Sequence, residues 1–247
     1  MGLFQILSGS FAELRRNPLL FLPKMASTTL WLIPYIFLLQ SAKIDLAHAT
    51  VSNDTLIYTV LILAISPLWV VIDSMYPVLV EQQRKKKRLD FSAALRHVFG
   101  RLLPLLALFV LILVVATICF LPFAFLMAFG IAYAFLPLLG LGAIGAVVMV
   151  FLGGLALYFV PTSIILEKVG FADSFQRGFT LTQRNFGTVF WLTLASFFFL
   201  LLAFVLEGTL GSLGVAGFIA GRYLGGIVTV YLYIVNPTAY LEARGRK

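Results

Sequence analysis

Between Leu102 and Leu166 the chain runs for 65 residues without a single Lys, Arg, Asp, Glu or His. About 20 consecutive apolar residues suffice for a helix to cross the hydrocarbon core of a bilayer. A soluble globule has no means of hiding such a stretch. The rest of the composition agrees: 61% of the 247 residues are hydrophobic and 11% charged, where soluble domains carry about 25% charged residues. These observations exclude a water-soluble enzyme and predict a polytopic membrane protein.

Cutting the chain at charges and at Gly, Pro and Asn clusters gives apolar spans near 19–39, 56–80, 102–125, 137–160, 188–206 and 214–240. Their polarity follows from the basic residues. Arg15 and Arg16 precede the first span; Arg84 to Arg88, Arg96 and Arg101 follow the second; Lys168, Arg177 and Arg184 follow the fourth; Arg244, Arg246 and Lys247 end the chain. The alternate loops, near 40–55, 126–136 and 207–213, hold only Lys43. The positive-inside rule therefore predicts a multi-pass protein of the cell membrane with both termini cytoplasmic. The net charge of +8 is a topology signal, and no nucleic-acid partner is needed to explain it.

A period of 80 residues runs through the expected cytoplasmic segments. Phe11, Phe91 and Phe171 each open a short stretch with apolar residues at helical spacing (Phe4, Leu7, Phe11, Leu14; Phe91, Leu95, Val98, Leu102; Phe171, Phe175, Phe179) flanked by basic residues. That pattern describes a helix lying in the membrane interface. Pro77 to Glu81, Pro161 to Glu167 and Pro237 to Glu242 each place a proline and then a glutamate at the end of an even-numbered span. The expected fold is an all-α integral membrane domain over 1–247: a bundle of six transmembrane helices with amphipathic interfacial helices, in a threefold internal repeat of two-span units (1–81, 82–167, 168–247).

The stretch Pro161 to Phe186, with Glu167, Gly170, Arg177, Arg184 and Asn185 in order, resembles a segment of a broad, uncharacterised family of prokaryotic six-span membrane proteins. That family is similar to the membrane domain preceding the catalytic part of some glycerophosphodiester phosphodiesterases. The resemblance is specific over roughly 161–190 and architectural elsewhere. Spans occupy the 247 residues, so no soluble barrel for phosphodiesterase catalytic residues lies within them, and the resemblance implies a membrane domain of a prokaryotic inner or plasma membrane.

Ionisable side chains inside a bilayer are costly and mark candidate sites. Lys24 and Asp73 fall at nearly the same depth, about 10 Å in from the cytoplasmic side at 1.5 Å per residue, and are expected to pair; Asp73 is also a candidate proton or cation site. Arg222, in the sixth span, is expected either to pair with Glu207 or to face a cavity and hold an anionic lipid phosphate or substrate. Gly217, Gly221 and Gly225 form a flat stripe for close helix packing, within the bundle or against a partner. The run Arg84, Lys85, Lys86, Lys87 and Arg88 is expected to contact anionic headgroups. Cys119 reads as core packing, and His48 and His97 as solvated. Asn53-Asp54-Thr55 matches a glycosylation acceptor.

No phosphate loop, metal-binding pattern or nucleophile elbow occurs in the sequence, so neither a cofactor nor an enzymatic activity is expected. The leading expectation is a non-enzymatic scaffold or accessory subunit that organises anionic lipid, a membrane-protein partner or a homo-oligomer. The alternative is a small transporter or channel using the intramembrane charges.

Overall fold

The computed structural model describes residues 2–41 and 53–245. His48 lies outside them. The described residues form eleven α-helices and no strand. Five segments are long and apolar enough to cross a membrane: Val60–Arg84, Leu102–Ala132, Leu136–Leu166, Phe186–Gly211 and Val215–Arg244.

Helix α1 (Leu3–Arg16) leads through a 3-10 turn (Pro18–Leu20) into α2 (Phe21–Ser41). The helix α3 (Asn53–Asp73) opens at the acceptor-like Asn53. Two residues, 74 and 75, separate it from α4 (Tyr76–Arg84), and α5 (Phe91–Phe99) follows, capped by the Asp90 carboxylate, which accepts from Ala93 N at 2.8 Å. The span expected near 56–80 is thus two helices in series.

Beyond it lie α6 (Leu102–Ala132), α7 (Leu136–Ala156), α8 (Val160–Leu166), α9 (Phe171–Arg184), α10 (Phe186–Gly211) and α11 (Val215–Arg244). The loop expected at 126–136 shrinks to residues 133–135. Pro122 does not end α6, because in an apolar setting a single missing hydrogen bond costs less than unpairing a whole turn of backbone. The reversal itself is a tight one. Phe135 N–H reaches back to the Gly130 carbonyl at 2.8 Å while Ala134 takes a left-handed φ of 49°. Gly130 is required there, since a Cβ would stand 2.5 Å from the Leu139 nitrogen.

The span expected near 137–160 also breaks, between α7 and α8. Pro77 and Pro161 each sit in the first turn of the helix after a break, where the missing N–H has no partner to lose. Backbone polar groups freed at such a break need partners within the protein. Asn236 on α11 supplies one: its Nδ2 donates to the Tyr158 carbonyl at 2.5 Å, while its Oδ1 accepts from the Thr162 side-chain hydroxyl at 2.5 Å. By contrast α11 runs unbroken through Pro237.

The three proline-led segments, α4, α8 and the last turns of α11, pack on one another. Their side chains form the core at this end of the bundle: Tyr76, Leu79 and Val80, then Ile164 and Ile165, then Ile234 and Tyr240, all fully or almost fully buried. Elsewhere apolar side chains face outward. Phe204 is 73% exposed, and Ile118, Ile144 and Phe198 are similar. At roughly 25 cal/mol for each Å² of apolar surface, such an exterior is stable only against lipid.

Helices α1, α5 and α9 pack around this core through faces that only partly match the apolar pattern of the sequence: Leu14 of α1 and Val98 of α5 are buried as that pattern expects, but most of its phenylalanines are not. In α1, Ile6, Ser10 and Leu14 turn inward while Phe4 and Phe11 are 83% and 61% exposed. In α9 the inward residues are Ser174, Gly178 and Thr182, with Phe171, Phe175 and Phe179 only half-buried beside them. The reason is backbone proximity. A Cβ on Gly178 would lie 2.7 Å from the Val160 Cα, so α9 meets α8 through its smallest residues and its phenylalanines flank the contact.

Candidate functional site

Lys24, on the second turn of α2, places its Nζ 2.9 Å from Asp73 Oδ2 at the end of α3, and both residues are more than nine-tenths buried. The same Oδ2 accepts from the Tyr233 hydroxyl of α11 at 2.8 Å. The ammonium also lies 4.5 Å from the Tyr233 ring centre and 5.9 Å from that of Trp69, so its charge is shared between a carboxylate and two aromatic faces. Asp73 Oδ1 is buried and makes no hydrogen bond among the described residues. Tyr76, stacked on Tyr233 at 5.2 Å, sits inside the backbone ladder of α2: its hydroxyl accepts from Lys24 N at 3.2 Å and donates to the Leu20 carbonyl at 2.9 Å.

Further along α11, Arg222 Nη1 is 2.5 Å from Glu207 Oε2 of α10, and its guanidinium lies 4.7 Å from the Trp31 ring centre of α2. The glycines between these levels set the geometry. A Cβ on Gly225 would meet Glu207 Oε1 at 2.7 Å, one on Gly221 would meet the Glu207 Cα at 3.0 Å, and one on Gly217 would collide with the Leu210 carbonyl. The Gly217, Gly221 and Gly225 stripe is therefore occupied by α10. Gly226 turns the other way and meets Thr28 Oγ1 of α2 at 3.0 Å.

Both α2 and α10 pack on α11, and a cavity of about 260 Å³ lies between them above Gly225 and Gly226. Lys24, Arg222 and Glu207 line it together with Trp31 and Trp69. Three of the four charged residues singled out in the sequence thus share one cavity, and the fourth, Asp73, touches it through Lys24. Leu200 and Phe204 also line it while remaining more than half exposed on the outer side of α10, so the cavity reaches the lipid-facing surface.

The basic run behaves as two parts. Arg84 turns inward, half-buried between Glu13 (Nε to Oε1, 3.0 Å) and Glu242 (Nη2 to Oε1, 3.3 Å), and so ties α4 to α1 and α11. Lys85 pairs with Glu81 at 2.8 Å, whereas Lys86, Lys87 and Arg88 are exposed. His97, expected to be solvated, is half-buried with Nε2 2.8 Å from the Ile165 carbonyl; it closes the end of α8, whose next carbonyls, of Glu167 and Val169, accept from Arg101. Cys119 is half-buried on α6. Among the described residues no group of three or more His, Cys, Asp or Glu is placed to hold a metal ion.

Sequence reasoning missed Tyr233, Tyr76, Trp31 and Trp69, the aromatic part of the site. The one signal available was positional: polar-tipped aromatics in mid-span are candidates to face a charge. No family model matches the chain, and no curated protein or solved structure matches it either.

Proposed function

We propose that the protein is a six-span protein of the cell membrane, α2 being the sixth crossing, which holds a lipid-like molecule with a polar, phosphate-bearing head in the cavity between α2 and α10. It organises that lipid and does not catalyse its conversion. One observation carries the reading: a cavity lined by Lys24, Arg222, Glu207 and two tryptophans reaches the lipid-facing side of α10. Arg222 spends one N–H on Glu207 and keeps others for a headgroup oxygen, while Leu200 and Phe204 lie where acyl chains would leave.

Both termini are cytoplasmic in this reading, on the side where Arg84, Arg177 and Arg244 gather. The three two-span units are part of the proposal, as is the likeness to the six-span family over 161–190. Supporting the units, Leu14, Ala94 and Ser174, 80 residues apart, are all buried on their amphipathic helices. The glycine stripe gives a partner subunit no support, because α10 covers it.

Native mass spectrometry of the protein extracted with its own lipids tests this. A retained lipid that is lost in Arg222→Gln and kept in Arg222→Lys is the expected result; a lipid-free protein, or one whose lipid ignores both variants, overturns it.

Transport is the second reading, favoured by the bare Oδ1 of Asp73 beside a lysine that lines the cavity. A headgroup drawing Lys24 away would leave Asp73 to take up a proton, coupling cargo to proton movement. Cargo-driven proton uptake in proteoliposomes, abolished by Asp73→Asn, would establish it.

A further inference from the structure

At the basic end of the bundle, the ion pairs are unevenly distributed. Around Arg84 two carboxylates, Glu13 and Glu242, enclose one guanidinium. Around Glu167 the ratio is reversed. Its Oε1 accepts from the Tyr240 hydroxyl at 2.7 Å and faces Arg244 Nε at 3.4 Å, while its Oε2 faces Arg177 Nη1 at 3.3 Å. Arg184, two turns beyond Arg177 on α9, has no acidic partner among the described residues. These groups line a cavity of about 430 Å³ between α9 and the last turn of α11, with Gln176 and Thr180 on the α9 side.

We propose that this cavity binds a phosphate-bearing anion. Three guanidiniums against one carboxylate leave a surplus of two positive charges. The single carboxylate is saturated by the tyrosine and two arginines, so it holds Arg177 and Arg244 in place without consuming their remaining N–H donors. Guanidinium forks match phosphate oxygens in pairs, and Thr180 and Gln176 supply neutral hydrogen-bonding groups beside them. The volume falls in the range of ligand pockets, about 300–1,000 Å³, enough for a phosphate together with the group it esterifies. The site is separate from the cavity between α2 and α10, with which it shares no lining residue. A lipid headgroup or a soluble phosphate ester presents the same chemistry to it.

The full-length protein, purified in a neutral detergent, is titrated with short-chain phosphatidate and separately with inorganic phosphate, each followed by calorimetry. Arg184→Gln is the principal variant, because Arg184 makes no ion pair among the described residues and its loss is expected to leave the melting temperature unchanged. It is expected to weaken phosphatidate binding by about tenfold or more, the scale of one charge-assisted hydrogen bond. The double variant Lys86→Gln, Lys87→Gln removes more charge outside the cavity and is expected to change binding little. Saturable binding of phosphatidate alone identifies a lipid headgroup as the ligand; binding of inorganic phosphate, with competition between the two, identifies the phosphate group whatever carries it. The proposal is overturned if neither titrant saturates, or if the lysine double variant weakens binding as much as Arg184→Gln. It is overturned equally if Arg222→Gln abolishes binding that Arg184→Gln leaves intact, a result that would put the lipid in the other cavity.

Discussion

Lys24 and Asp73, 49 residues apart in sequence, meet at 2.9 Å in a setting where each is more than nine-tenths buried. A buried pair of this kind adds little over a well-packed apolar pair, but removing one partner strands a charge at a cost of about 3–5 kcal/mol. Asp73→Leu and Lys24→Met alone are therefore expected to lower stability by that order, and the double variant to recover most of it. Reversible unfolding in mixed micelles, read as a double-mutant cycle, is the measurement. A double variant no better than the worse single one would mean that Tyr233 and Tyr76, and not the opposite charges, hold this level together.

Glycine at 217 follows from the closeness of α10. A methyl group there collides with the Leu210 carbonyl, which is backbone and has no rotamer to yield. Gly217→Ala is expected to cost about 1–3 kcal/mol, as overpacking does. Gly153→Ala provides the contrast: a Cβ at Gly153 meets nothing within 4 Å, and removing a glycine from the interior of α7 should stabilise by about 0.5–1 kcal/mol. Thermal melting of both in the same detergent decides, and equal shifts would contradict the packing.

Depth was legible in the sequence and azimuth was not. Spacing along a span puts Lys24 level with Asp73, and Arg222 within reach of Glu207, because the rise per residue is fixed. Which helices are neighbours depends on side-chain fit around the bundle axis, so neither Tyr233 beneath Asp73 nor Trp31 beside Arg222 could be read from spacing. Span ends were legible only where charges mark them. The breaks at 74–75 and 157–159 lie inside apolar runs, and the second depends on Asn236, 78 residues away, satisfying the Tyr158 carbonyl. Hydrophobic periodicity located α1 and α9 and picked out the buried Leu14, but it also picked out their phenylalanines, whereas the faces turned to the protein include Ile6 and Ser10 in α1 and Ser174, Gly178 and Thr182 in α9. Close approach rewards small side chains, and a hydropathy pattern counts those as neutral.

The end of α4 carries a removable strain. Lys87 N–H bonds to the Gln82 carbonyl at 3.0 Å and Lys86 N–H to that of Gln83 at 2.9 Å, with Lys86 at a φ of 55°. This is the helix-terminating arrangement that favours glycine, and a side chain there costs roughly 1–2 kcal/mol. Lys86→Gly should therefore raise stability by about 1 kcal/mol despite losing a charge, measurable as an increased melting temperature. Lys87→Gly, one residue on and outside the left-handed region, should give no such gain.

The polarity of the bundle can be tested at two exposed turns. Arg84 is bound to Glu242 near the C-terminal end of α11, which fixes Lys87, three residues later, at that end. Ser212 lies exposed in the turn just before α11 begins. Thirty residues of helix separate the two ends, about 45 Å at 1.5 Å per residue, more than the hydrocarbon thickness of about 30 Å. In a Cys119→Ala background, Lys87→Cys and Ser212→Cys must therefore react with a membrane-impermeant maleimide from opposite sides. The basic residues around Arg84 predict that Ser212→Cys is labelled from outside intact cells and Lys87→Cys only after permeabilisation. A reversed pattern would refute the cytoplasmic placement of the termini while leaving the fold intact. Labelling of both from one side would mean that α11 does not cross the membrane.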